Sequence, residues 1–156
     1  MKPPISKGPV FQGTAHVHGT ASGKLIASDV ALSFWGGIDP NTSEVLDRHH
    51  PLSGQHIQDA ILAIPGGRGS CTGSAVMLEL LLNGRGPKAI LFSRREDILT
   101  LGVMIAEEIF GRAIPVVTLQ EDDFRSVLAA SFVRVDGSQV SVMDSNAMLE
   151  LSLIHI

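Results

Sequence analysis

The densest run of chemistry-bearing residues is Pro65-Gly66-Gly67-Arg68-Gly69-Ser70-Cys71-Thr72-Gly73-Ser74. Its glycines let the backbone turn tightly and come close to a ligand. Arg68 offers a planar fork that can clamp a carboxylate. Gly69, Cys71, Thr72 and Ser74 are candidates to line the same pocket. Ser70 is a candidate nucleophile or base. A serine hydroxyl is a poor base unless positive charge stabilises its alkoxide, which Arg68 and a helix start would do. The run is not a P-loop, because no Gly-Lys-Ser/Thr follows the glycines, and its glycine spacing is wrong for a dinucleotide fingerprint. It also lacks the spacing of a hydrolase nucleophile elbow. Cys71 reads better as a small wall residue than as a nucleophile. The plainer alternative is a capped strand–helix turn with an incidental arginine.

A second segment, Leu32-Ser33-Phe34-Trp35-Gly36-Gly37-Ile38-Asp39-Pro40, sets two aromatics beside paired glycines. Phe34, Trp35, Gly36 and Gly37 could line a cleft or face a partner, or the aromatics could be core anchors. Six histidines invite a metal reading. His16 and His18 would share one face of a strand, while His49 and His50 are adjacent. No third ligand stands at a diagnostic spacing, so no metal ligand is assigned and hydrogen-bonded or surface histidines are expected.

These residues need a frame. Short strands are expected at 13–17 and 23–26, followed by a long irregular stretch over 29–48 whose apolar residues argue for packing or binding. An apolar strand at 60–64 leads into the glycine-rich turn. A helix over 74–83 follows, with Thr72 or Ser70 as N-cap and Gly84 as its stop. Then come a strand at 88–92, an amphipathic helix at 96–110, a strand at 114–119 and a helix at 122–130. A hairpin of 132–135 with 139–142 closes the chain. Strand–helix–strand–helix–strand predicts a parallel sheet with right-handed crossovers. Strands at both ends predict a second, antiparallel layer. The expected fold class is α/β in three layers: a central parallel sheet, an antiparallel sheet and helices. The glycine-rich turn would then leave the carboxyl end of a strand, where open α/β sheets bind ligands, and enter a helix whose dipole favours anions.

Composition narrows the function classes. The chain has 156 residues, 44% hydrophobic and 18% charged, with a mean hydropathy of +0.25. That is room for one domain over 1–156 and excludes intrinsic disorder. It is also greasier than most free-standing monomers. A net charge of −4 with no basic run, and 4% aromatics with no Tyr, argue against nucleic acid as a partner. One cysteine, Cys71, excludes an internal disulfide framework and a self-contained cysteine-ligated cluster. No signal-peptide core or membrane-length apolar run is present, so the expected setting is cytoplasmic, without a membrane partner.

Three motifs together resemble the aconitase X family, at its small subunit or swivel domain: Leu32-Ser-Phe-Trp-Gly-Gly-Ile-Asp-Pro40, Asp47-Arg-His-His-Pro-Leu-Ser-Gly54 and Pro65-Gly-Gly-Arg-Gly-Ser-Cys-Thr-Gly-Ser74. The resemblance runs in order over about residues 10–120. The apolar end of the chain, Leu149 to Ile156, matches none of its motifs. The resemblance implies a swivelling β/β/α fold and a hydro-lyase whose large subunit carries an iron–sulfur cluster on its own cysteines, with no cofactor on this chain. It implies Ser70 as catalytic base and Arg68 as the basic residue beside it. It also implies a small hydroxy-acid substrate, either cis-3-hydroxy-L-proline or, as the alternative, mevalonate 5-phosphate. Gly-Arg-Gly-Ser-Cys-Thr is similar to the hydroxyproline type. The rival from another class is a non-catalytic anion-binding module built on the same turn. A hydrolase would need Ser70 or Cys71 paired with a histidine.

Overall fold

Three apolar runs too short for helices become the parallel core of the molecule. In a computed structural model that describes residues 7–69 and 71–143, they are β4 (Ile61–Ala63), β5 (Ala89–Phe92) and β6 (Val116–Thr118). Residues 1–6, Ser70 and 144–156 lie outside the described residues. The remaining strands are β1 (Lys7–Gln12), β2 (Thr14–Val17), β3 (Thr20–Ala27), β7 (Phe132–Asp136) and β8 (Gln139–Met143). The helices are α1 (Gly73–Leu82), α2 (Asp97–Phe110) and α3 (Glu121–Val127).

The strand order is β1-β8-β7-β3-β4-β5-β6-β2. Within it β3-β4-β5-β6 is parallel, and β1-β8-β7-β3 is antiparallel. One strand serves both halves. Residues 20–24 of β3 pair antiparallel with β7, and Leu25, Ile26 and Ala27 pair parallel with β4. The two expected sheets are therefore continuous through β3. β2 is not their link: it closes the far edge of the parallel half, antiparallel to β6.

Alternation along the central strands sorts the core into two compartments, because successive side chains point to opposite faces. Ile26, Leu62, Ile90, Phe92 and Val116 face the helical layer, against Met77 and Leu80 of α1 and Leu99 and Val103 of α2. Leu25, Ile61, Ala63, Ala89, Leu91 and Val117 face the antiparallel layer, against Val133, Val135 and Val140. Phe124 and Val127 of α3 belong to that second compartment. Burial on both faces explains why these strands read as unbroken apolar runs. Helices α1 and α2 touch closely at Gly102, where a Cβ would lie 2.5 Å from the carbonyl oxygen of Ser74.

Element boundaries shift by one to three residues from those expected: β3 begins three residues earlier and α3 ends three residues earlier. The real omission is β1. It holds Pro9, which cannot donate to a ladder, and it pairs only with β8 with a register irregularity between Lys7 and Val10. Proline is tolerated on such an edge strand but erases its sequence signal. The closing hairpin forms as expected, with Gly137 at φ 61° at the first position of its two-residue loop.

Candidate active site

The carboxyl ends of β3, β4 and β5 point to one edge of the sheet, and the chain beyond each of them converges there. After β3, the N–H of Ser28 donates to the carbonyl of Ala63 at 3.0 Å. The long irregular segment then runs beside the glycine-rich turn. Leu32 N–H donates to Gly66 O and Arg68 N–H donates to Leu32 O, both at 3.2 Å, a parallel bridge that extends the sheet past its strands. The two motifs that the sequence singled out are thus zipped together by main-chain hydrogen bonds.

Side chains fit that zipper closely. Gly37 packs against the start of its own loop, where an added Cβ would lie 2.0 Å from Ser33 O. Gly69 has φ 102°, a conformation side chains rarely allow, and a Cβ there would sit 3.2 Å from Ser33 Oγ. Ser33 Oγ donates instead to Trp35 O at 3.0 Å.

Phe34 and Trp35 part company. Phe34 is 1% exposed and belongs to the helical-side core, the anchor reading of the two left open for it, and it also lines a small cavity with Arg68 and Gly69. Trp35 is 62% exposed on the rim. Gly36 is exposed at φ 75°, and Gly37 is buried.

Arg68, Gly69, Cys71 and Thr72 are exposed, on the approach to the first turn of α1. The Arg68 guanidinium makes no hydrogen bond or ion pair among the described residues. Ser74 Oγ donates to Cys71 O at 2.8 Å, which closes the first turn of α1. Thr72 is the N-cap residue but has helical dihedrals, φ −63° and ψ −18°, unlike the extended conformation of most caps. Ser70, the expected base, lies outside the described residues; its chain neighbours Gly69 and Cys71 are at this edge.

Two residues that sequence reasoning passed over support the turn. Arg94 Nη2 donates to Gly67 O at 3.2 Å. Its Nε lies only 2.7 Å from where a Gly66 Cβ would be, so Gly66 lets the guanidinium lie flat on the turn. Glu96 is 9% exposed and caps α2, its Oε2 accepting from Leu99 N at 2.6 Å. Its Oε1 lies 3.1 Å from where a Gly67 Cβ would be. The available signal was Ser93-Arg94-Arg95-Glu96 directly after an apolar strand, at the same edge as the glycines. Arg95 is engaged elsewhere, 2.8 Å from Asp97, a partner that raises its pKa through a hydrogen bond and charge attraction. Both members of that pair are exposed, so it adds little stability.

Two of the histidines are held by hydrogen bonds. His50 is 5% exposed. Its Nδ1 accepts from Leu52 N at 3.1 Å, which places the proton on Nε2, and Nε2 then donates to Val30 O at 3.0 Å. That ties the 47–54 motif back to the start of the irregular segment. His16 Nε2 lies 2.8 Å from Thr118 Oγ1 across the β2–β6 pair. Among the described residues no three His, Cys, Asp or Glu side chains gather as metal ligands, and no helix is long and apolar enough to cross a membrane.

The fold is a β/β/α domain in which Arg68 and the glycine-rich turn lie exposed at one sheet edge, with Arg94 and Glu96 packed against the turn. The chain belongs to the aconitase X swivel-domain family, whose model matches residues 10–143. It is 68% identical over 133 residues to a cis-3-hydroxy-L-proline dehydratase of Hypocrea jecorina, a match covering 85% of this chain and 22% of that protein. It is 40% identical over 132 residues to the phosphomevalonate dehydratase small subunit of Pyrococcus furiosus, covering 85% of this chain and 92% of the subunit. Among solved structures it superposes on Thermococcus kodakaraensis aconitase X in its holo-form with a TM-score of 0.77 and 36% identity, over 88% of this chain and all of that one. The chain therefore spans about a fifth of the Hypocrea relative and nearly all of the Pyrococcus small subunit.

Proposed function

We propose that the chain, as one swivel-type domain over 1–156, is part of a cytoplasmic hydro-lyase that dehydrates cis-3-hydroxy-L-proline to 1-pyrroline-2-carboxylate. The observation that carries this reading is the 68% identity to a dehydratase of that name, against 40% to the phosphomevalonate type. The described residues of this chain do not fit an iron–sulfur cluster: Cys71 is its one cysteine. In this reading the cluster sits on a larger partner, or on the remainder of a longer chain, and its contribution is to draw off the leaving hydroxyl.

The roles of this chain follow from the edge described above. Arg68 clamps the substrate carboxylate through its free fork, beside the turn that Arg94 supports from below. Gly69, Cys71, Thr72 and Ser74 wall the pocket. Ser70, between Gly69 and the helix start, takes the proton from C2, with positive charge stabilising the alkoxide form that does so. In the cis isomer the hydroxyl and the carboxylate share a ring face, so the C2 hydrogen lies on the other. Loss of that proton and of hydroxide from C3 is then an anti elimination. It forms the C2–C3 double bond of an enamine, which tautomerises to the cyclic imine. Base and hydroxyl acceptor must flank the ring, which suits a site divided between this domain and the rest of the enzyme.

Mevalonate 5-phosphate is the second reading, supported by the nearly full-length match to a phosphomevalonate dehydratase small subunit. The test replaces the matched segment of the intact Hypocrea relative with residues 10–143 of this chain and assays both substrates. Turnover of cis-3-hydroxy-L-proline is expected. Turnover of mevalonate 5-phosphate alone would transfer the reading to the second class. Anion binding without turnover of either would leave a binding module.

A further inference from the structure

Helix α2 is apolar on two sides. Leu99, Val103 and Ala106 are buried against α1 and the sheet. On the outer side Leu101 is 49% exposed, Met104 50% and Ile109 68%, with Phe110 at 50% at the helix end. Met104, Ile105, Glu108 and Ile109 form a shallow apolar depression there. Leu101, Met104, Ile105 and Ile109 share one face of the helix and form a stripe, with Glu108 among them. A helix hydrophobic around most of its circumference is ordinarily covered on every side, and this stripe is open among the described residues.

We infer that the outer face of α2 is the docking surface for the larger, cluster-bearing part of the enzyme; this rests on the function proposed above. Two observations choose that occupant. First, the chain corresponds to 22% of the Hypocrea relative, so most of such a protein lies outside this domain and must pack on some face of it. Second, α2 starts at the candidate site. Ile98 and Leu99 lie with Phe34, Arg68 and Gly69 around one small cavity at that edge. A partner that closes the site over Arg68 and Trp35 meets the amino end of α2 first, and the stripe leads away from it.

Charge specifies the partner further. Glu107 and Glu108 stand in the last turn of α2, which carries no basic residue, and neither forms an ion pair among the described residues. Acidic side chains there oppose the helix dipole. A covering surface with an apolar centre and a basic rim would bury the stripe and relieve that repulsion.

The test compares the 156-residue chain with the full-length Hypocrea chimera by hydroxyl-radical footprinting of Met104, with turnover of cis-3-hydroxy-L-proline read on the same chimera. Met104 oxidation is expected to fall at least fivefold in the full-length protein and to recover when Ile109→Glu is introduced. Glu108→Lys is expected to lower the protection by setting like charge against the basic rim. An active chimera in which Met104 oxidises as fast as in the short chain overturns the docking surface and leaves the function standing. Protection without turnover overturns the substrate and leaves the surface standing. If Met104 of the short chain is itself protected at high concentration, and sedimentation shows a dimer that Ile109→Glu dissolves, the occupant is a second copy and the inference is wrong.

Discussion

At the amino edge of the parallel sheet a cavity of about 710 Å³ opens between Thr20, Asp59, Lys88, Arg112 and Pro115. At the carboxyl edge the space enclosed by Phe34, Arg68, Gly69 and Glu96 is only about 30 Å³. By volume alone the amino edge would be the binding site. The proposed site lies at the other end. There two loops are zipped by main-chain bonds, glycines admit backbone and arginine contacts that a Cβ would block, and Arg68 has no partner among the described residues. At the amino edge Arg112 already donates to the carbonyls of Leu81 and Leu82 at the end of α1. A site divided between two parts of an enzyme, as proposed here, would enclose little volume in one part alone, so volume does not by itself rank the two edges.

The sharpest way to break this comparison is at Ser70. In the full-length chimera, Ser70→Ala should reduce kcat by about 10²–10⁴-fold, the usual worth of a positioned acid–base group, with KM largely kept. It should also stop wash-in of solvent deuterium at C2 if that step is reversible. Near-normal turnover and exchange would place the base elsewhere. The next effect is on stability and divides neighbours. Phe34→Ala should destabilise the chain by roughly 3–5 kcal/mol, because it empties a core position. Trp35→Ala should change stability by no more than about 0.5 kcal/mol, as exposed substitutions do, while weakening substrate or partner binding. Chemical denaturation of the two variants measures both. Arg68→Lys keeps the charge and loses the fork, so KM should rise about tenfold with kcat little changed. The smallest expected effect is at the amino edge, where Lys88→Ala should leave both kcat and KM within about twofold, since it touches no transition-state contact. A loss there equal to that of Arg68→Lys would make the larger cavity the working site.

Arg94 and Glu96 show how far sequence reading reached. The glycine-rich turn was visible because its composition is extreme and its place between an apolar strand and a helix is local information. Arg94 contacts that turn from 27 positions away, through the adjacent strand β5. Nothing in a linear reading ranks Arg94 above Arg95, whose contact is with Asp97 at the surface. Likewise Phe34 and Trp35 are adjacent and chemically alike, and only the path of the loop sends one inward and the other out.

By itself the sequence determined the order of the elements after β1 and the existence of a three-layer α/β fold, since apolar periodicity, caps and glycine stops act over a few residues. It also singled out the turn on which the proposed chemistry rests, through its glycines, Arg68 and Ser70, and showed the family through motifs that resemble it. Only the tertiary structure decided that β3 joins both sheets, that the irregular segment pairs with the glycine turn, that His50 is an anchor, and that α2 keeps an apolar face open among the described residues. Each of those depends on contacts between residues far apart in the chain. Such contacts are selected by packing and by the need to satisfy buried backbone groups, and these become definite only once the layers are assembled.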